Sequence, residues 1–429
     1  MEMIPVAALT AILIAFFAGY FLIVFEHNLK INKAAAALLM AVVCWSIYFV
    51  WIGKSTTESV HSLLEHFSSV GGIVFFLLGA MTIVELIDSH KGFKIITDFI
   101  TVRSKKKLLW STGFIAFFLS SVLDNLTATI VMVSLLRKLI PDKEDQKVFG
   151  AMMVIATNAG GAWTPIGDVT TTMLWIGGQI SSIGIIKALF LPSVVCLAVP
   201  LFFQSFLLKG EYAVQIQPDI SIGRAEPKAK LIFWVGVGSL IFVPIFKMIT
   251  GLPPFMGILL GLGIMWLVTD LVHYKYEQRE HLRVPHILTR VDVSGVLFFL
   301  GILLAVNVLD VTGLLKNVAI WLSNHVPSQE IVAGLIGLAS AIIDNVPLVA
   351  ATMGMYDLST FPIDSKLWEM IAYAAGTGGS ILIIGSAAGV AFMGLEKVSF
   401  MWYLRRVSFL AFIGYIAGFL TYLATTSWV

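Results

Sequence analysis

Apolar runs of roughly 17 to 25 residues recur from one end of this chain to the other, and each is long enough, as helix, to cross the ~30 Å hydrocarbon core of a bilayer. Of 429 residues, 58% are hydrophobic and 13% charged, where a soluble domain carries about 25% charged residues. A soluble enzyme is excluded. Inside hydrocarbon no water satisfies the backbone, so such runs must be helical, and the fold class expected is an all-α polytopic membrane protein. Ten segments read as spans: Pro5–Phe25, Ala34–Ile52, Ser69–Ile87, Val148–Ile180 (interrupted), Ile186–Leu208, Leu231–Ile249, Pro253–Val268, Ser294–Leu309, Leu367–Gly394 (interrupted) and Val407–Leu423. Pro5–Phe25 reads as a retained span, since Met1-Glu2-Met3 has no basic signal-peptide region. The two cysteines, Cys44 and Cys196, lie inside apolar runs without metal-ligand spacing and read as packing residues.

Two further apolar stretches, Leu108–Leu139 and Ile331–Tyr356, carry an Asp-Asn pair at mid-run, Asp124-Asn125 and Asp344-Asn345. Each half would make only about 18 to 24 Å of helix, short of a full crossing, so both stretches read as re-entrant helical hairpins. The basic residues test this layout. With the first loop cytoplasmic, 23 of the 28 Lys and Arg fall in inside loops, and only Lys54, Lys187, Lys247, Lys316 and Lys366 fall outside. Both termini are then outside. Counting either hairpin as one full span would invert everything after it and spoil that split.

The chain also repeats. Phe76-x-Leu78-Gly79 matches Phe298-x-Leu300-Gly301, Ser120 with Asp124-Asn125 matches Ser340 with Asp344-Asn345, and Gly160-Gly161 with Gly167 matches Gly378-Gly379 with Gly385. Under the charge-derived topology the halves run in opposite senses, the inverted-repeat arrangement of secondary transporters. Residues 209–230, with Pro218, Gly223 and Pro227, read as the linker between them. The repeat and linker divide the chain into residues 1–87, 88–208, 231–309 and 310–429. Amphipathic arms are expected after Asp88 (Phe93, Ile96, Ile100) and after Asp310 (Leu314, Leu315, Val318, Trp321, Leu322).

Gly160, Gly161 and Gly167 are expected to break one helix and Gly378, Gly379 and Gly385 its counterpart, freeing backbone oxygens only where they line a polar cavity. Around these breaks and the hairpin tips lie Asp124, Asp344 and Asp168, with no Lys or Arg at the same depth in these segments. An unpaired carboxylate at membrane depth relieves its cost by taking a proton or by binding a cation. Competition of H⁺ and metal ion for the same oxygens is the chemistry of a proton/cation exchanger. The candidate ligands are Asp124, Asn125, Ser120 and Thr127 at the first tip, Asp344, Asn345 and Ser340 at the second, and Asp168, Asn158, Thr164, Thr377 and Ser380 at the breaks. Na⁺ is expected at Ser120, Asp124 and Asn125 and at Ser340, Asp344 and Asn345. Capping of a half-helix is the structural alternative for each Asp. Ser386 stands where the first half has Asp168, so the two sites are unequal. Glu85 sits near the cytoplasmic end of its span, and all eight histidines, His90 and His273 among them, read as loop residues. Neither a phosphate loop nor a nucleophile–base constellation occurs, which points away from catalysis and ATP-driven pumping, and a net charge of +2 gives no footprint for nucleic acid.

At these motifs the chain resembles the NhaD-type sodium/proton antiporters of the ion transporter superfamily. The likeness is carried by Ser120-Ser121-Val122-Leu123-Asp124-Asn125-Leu126-Thr127, by the run from Thr157 through Gly160-Gly161 to Gly167-Asp168, by Asp344-Asn345-Val346-Pro347 and by Gly376-Thr377-Gly378-Gly379-Ser380. The resemblance implies export of Na⁺, and of Li⁺, in exchange for H⁺, with no cofactor, in a homodimer moving like an elevator in a bacterial inner membrane, with residues 1–87 and 231–309 as scaffold and residues 88–208 and 310–429 as transport segments. Sodium-coupled dicarboxylate symporters and arsenite permeases of the same superfamily are the alternative. The symporters carry Ser-Asn-Thr at each hairpin tip, where this chain has Asp124-Asn125-Leu126 and Asp344-Asn345-Val346.

Overall fold

Each described apolar run is helical, as a backbone surrounded by hydrocarbon requires. The structure, a computed structural model, describes residues 5–51, 56–93, 95, 104–212, 228–274, 277–326, 328–342 and 344–426. Three long helices come first, α1 (Val6–Val24), α2 (Lys33–Trp51) and α3 (Thr56–Ser89). A helical hairpin follows, α4 (Lys105–Ser120) and α5 (Asn125–Leu139), then a helix in two pieces, α6 (Lys143–Gly161) and α7 (Val169–Ile176), and a closing span, α8 (Ser182–Leu207). The second half repeats this order with α9 (Ala229–Thr250), α10 (Pro254–His273) and α11 (Val293–Val311), then α12 (Leu314–His325) and the hairpin α13 (Gln329–Ser340) and α14 (Asn345–Met355). Its two-piece helix is α15 (Lys366–Gly378) and α16 (Ala387–Glu396), followed by the short α17 (Phe400–Arg406) and the closing α18 (Ser408–Thr426).

Eight of these, α1, α2, α3, α8, α9, α10, α11 and α18, are long and apolar enough to cross a bilayer. They coincide with the eight unbroken spans expected, and α6–α7 and α15–α16 with the two interrupted ones. Large apolar side chains such as Phe17, Val42, Leu267 and Leu271 stay exposed, as they can where the surrounding solvent is lipid. The protein is an all-α polytopic membrane protein.

Packing follows the repeat. α1 lies on α2 as α9 lies on α10, and α2 packs against α11 as α10 packs against α3. Each hairpin's first arm sits on its own broken helix, α4 on α6 and α13 on α15, while its second arm takes the other half's short piece, α5 with α16 and α14 with α7. The break glycines explain the close fit. A Cβ on Gly160 would stand 2.2 Å from the Phe117 carbonyl oxygen, and one on Gly378 would stand 2.1 Å from that of Gly337. Gly167 and Gly385 are equally confined, by the carbonyls of Ser120 and Ser340, each at 2.6 Å. None of the six break glycines has positive φ, so they are needed for close approach of backbones, with no unusual conformation involved.

α12 forms as expected and buries Leu315 and Ala319. The matching arm of the first half falls mostly on residues 94 and 96–103, and the middle of the linker on 213–227, outside the described residues. The expectation that all eight histidines are loop residues fails: His61 and His66 lie within α3, and His325 ends α12. His90 and His273 are fully buried, and their Nε2 atoms lie 2.9 Å apart at the ends of α3 and α10. The two helix ends abut each other, so the rings are covered by packing.

Candidate functional site

The first hairpin turns at 121–124, and Asp124, in extended conformation, caps α5. Its Oδ1 accepts from the Thr127 N–H at 2.8 Å and its Oδ2 from the Thr127 hydroxyl at 2.7 Å. An acid at an N-cap satisfies donors the helix start leaves orphaned. Asp168 does the same for α7, its Oδ1 accepting from the N–H and hydroxyl of Thr170, both at 2.9 Å. The capping alternative is therefore realised at both acids, and it leaves oxygen capacity over. A carboxylate has about four lone-pair sites; these bonds use two on each.

The Asn125 amide nitrogen donates to Asp168 Oδ2 at 2.6 Å and to Asn158 Oδ1 at 2.9 Å. Asn158 passes the chain of bonds into the other half, its amide nitrogen donating to the hydroxyls of Ser380 and Ser386, both at 2.9 Å. All five side chains are buried. Tip, both breaks and both halves thus meet in one polar network inside an otherwise apolar bundle. Such a network is costly unless it is nearly fully paired.

The second half is built on the same frame with weaker chemistry. Asp344 caps α14 through a long 3.4 Å bond from the Val346 N–H, and Ser386 caps α16 by accepting from the Gly389 N–H at 3.2 Å. Four predicted hydroxyls are spent on backbone carbonyls: Ser120 on Thr157, Ser340 on Ala375, Thr164 on Ser121 and Thr377 on Tyr373. They pin hairpins and breaks to their helices. Asn345 is buried at the second tip. Glu85, at the end of α3, accepts a bond from Ser89 at 3.1 Å, away from this network.

A cavity of about 110 Å³ opens beside the first tip. Asp124, Asn125, Asp168 and Thr172 line it together with Phe76, Leu240, Val243 and Ile258, with Lys33 at the start of α2 and with Asp292 at the cap of α11, both beside loops the charge count places in the cytoplasm. Asp344 and Asn345 are not among its walls. The second arm α14 packs on α11, whereas its counterpart α5 stands clear of α3 across this cavity.

Sequence reasoning missed Lys33, Thr170 and Thr172. Thr170 could have been found as the residue two after an N-cap Asp. Lys33 could not, because only the packing of α2 on α11 turns it towards the cavity, with its ammonium 4.7 Å from the Phe298 ring.

A family profile described as "Citrate transporter" matches residues 20–368. The chain is 58% identical to "Sodium/proton antiporter 2" of Arabidopsis thaliana over 95% of this chain and 97% of the relative. It is 57% identical to "Sodium/proton antiporter 1" of the same plant over 96% of this chain and 72% of the relative. It is 29% identical to "Na(+)/H(+) antiporter NhaD" of Alkalimonas amylolytica over 95% and 89%. With plant and bacterial relatives alike, the expectation of a bacterial inner membrane loses its support, and the placement stands as an integral membrane protein.

Proposed function

The chain belongs to the citrate transporter family and is kin to the NhaD-type sodium/proton antiporters, and from that premise we propose that it exchanges Na⁺ for H⁺ across its membrane. The observation that carries the reading is the cavity wall, where Asp124 and Asp168 present carboxylates with spare lone pairs and Asn125 and Thr172 add neutral oxygens. Oxygen ligands suit a hard cation. A proton and Na⁺ compete for the same acids, so loading one expels the other, and a gradient of either drives the other.

In the charge-derived orientation the cavity faces the cytoplasm, and Na⁺ enters past Lys33 and Asp292. The capped half-helix α7, hairpin α4–α5 and their counterparts α13–α16 move as the transport part against α1–α3 and α9–α11, in an elevator-like motion. Asn158, Thr164, Ser120 and Thr127 hold the first set of ligands in place. Ser340, Asp344 and Asn345 form the second set, with Thr377 and Ser380 supporting it. We extend the same chemistry to Li⁺ and read the protein as a homodimer in the bilayer, a transporter and no enzyme.

The family description names citrate, and a tricarboxylate would meet two carboxylates at the tip of this cavity, an unfavourable like-charge encounter. In proteoliposomes with an imposed Na⁺ gradient, a pH dye is expected to report proton movement that Asp124→Asn and Asp168→Asn abolish. Labelled citrate uptake without Na⁺-driven proton movement would overturn the reading.

A further inference from the structure

Both short pieces of the broken helices end in the same way. The penultimate carbonyl of α16, that of Leu395, accepts from the Arg137 guanidinium, and the penultimate carbonyl of α7, that of Trp175, accepts from Lys247 Nζ at 2.9 Å. A cation at a helix C-terminus meets the negative end of the helix dipole. The source of the two cations differs. Arg137 comes from α5, which moves with α16 in the proposed function, and it also pairs with Glu396 at 2.6 Å. Lys247 comes from the last turn of α9, on the scaffold side. Its ammonium also sits 4.5 Å from the Trp175 ring centre, and that buried indole packs edge-on to Phe76 of α3 at 6.4 Å. Among the described residues this is the one side-chain hydrogen bond that crosses from the scaffold helices to the transport helices.

We propose that Lys247 is the outer latch of the exchange cycle, a positioning residue that holds α7, and with it Asp168, in the cytoplasm-facing position and must release Trp175 each time the site turns outward. The inference rests on the division into scaffold and transport parts given above. Asp168 caps one end of the two-turn α7 and Lys247 caps the other, so cation at the first and latch at the second act on one rigid piece. A contact made in only one of two states shifts their populations by its whole differential strength. Removing it must therefore favour the outward state.

The test uses Met81→Cys, a cavity-wall position on α3, in a chain with Cys44 and Cys196 replaced by alanine. A membrane-impermeant maleimide is applied to everted vesicles, where the cytoplasmic face is accessible. Lys247→Met is expected to slow labelling about fivefold or more, while Lys247→Arg, which still donates to the carbonyl and stacks on the indole, stays within about twofold. The exposed outer Lys187, changed to Met, is the control and should leave labelling unchanged. Unaltered labelling in Lys247→Met, or an equal fall in Lys187→Met, overturns the latch. Should Lys247→Met not assemble, Trp175→Phe keeps the carbonyl and loses the indole under the ammonium; it should slow labelling in the same direction, and no change there also overturns the proposal. Loss of Na⁺/H⁺ exchange in the parent with the labelling shift intact strikes the exchange reading and leaves the latch standing.

Discussion

In the first half Asp168 caps α7, and the hairpin arm α5 stands off α3 across an acid-lined cavity; in the second half Ser386 caps α16, and α14 lies against α11. The frame is shared and the contents are not. Glycine contacts at Gly160 and Gly378 and hydroxyl bonds from Ser120 and Ser340 recur almost atom for atom, and a cation caps the penultimate carbonyl of both α7 and α16 from different elements. What differs is the acid at the second break and the face turned to the scaffold. The comparison teaches that the repeat supplies rigid mechanics twice, while this half of the charge chemistry is supplied once.

The largest effect expected is at that chemical difference. Asp168→Asn should weaken Na⁺ binding by more than the roughly 10- to 100-fold that loss of a mere supporting partner of a metal site brings. Na⁺ stabilises whatever state binds it, so the melting temperature of detergent-solubilised protein should rise with Na⁺ in the parent and hardly at all in the variant. Asp344→Asn should slow turnover yet keep the Na⁺-dependent rise; if it loses the rise as fully as Asp168→Asn, the two halves are chemically alike and the comparison breaks.

The shared frame is tested by Gly160→Ala and Gly378→Ala. Each adds a methyl at about 2 Å from a backbone oxygen, and overpacking of this kind costs about 1–3 kcal/mol. Similar losses of thermal stability are expected from both, with none from Gly263→Ala, where a Cβ meets nothing within 4 Å. A loss confined to one half would break the equivalence.

Asn158→Ala severs the joint between the halves and takes one partner each from Asn125, Ser380 and Ser386, at a cost of about 1–3 kcal/mol. Lower thermal stability with weaker Na⁺ dependence is the expected outcome; an intact Na⁺ response would mean the network only braces the fold. The smallest effect belongs to Arg137→Gln. The Arg137 side chain is 42% exposed, and partly solvated pairs contribute about 0.2–1 kcal/mol. A small melting shift with unchanged Met81→Cys labelling is expected, in contrast to Lys247→Met.

Much of this was legible along the chain. Asp124-Asn125 and Asp344-Asn345 interrupt apolar runs, and an acid there must cap a helix start, because hydrocarbon offers the freed N–H groups no other partner. The paired glycines repeat for a reason equally local to the chain: two backbones in van der Waals contact leave no room for a side chain. Reading them as helix breakers located the breaks correctly and missed that the contact, not the backbone conformation, requires glycine. His90 and His273 were misread because burial depends on which helix end lies opposite, and they are 183 residues apart.

The sequence by itself therefore determined the solvent of this protein, the number of its spans, the places where helices stop, and the acids that interrupt its apolar runs. These follow from length, periodicity and local capping, which act over a few residues. Only the tertiary structure decided that Asn158 joins Ser380 across 222 residues, that Asp124 and Asp168 share one cavity while Asp344 stands outside it, and that Lys247 reaches α7. Those contacts depend on how the helices cross one another, and two halves built on one frame can cross their neighbours differently while keeping the same local sequence rules.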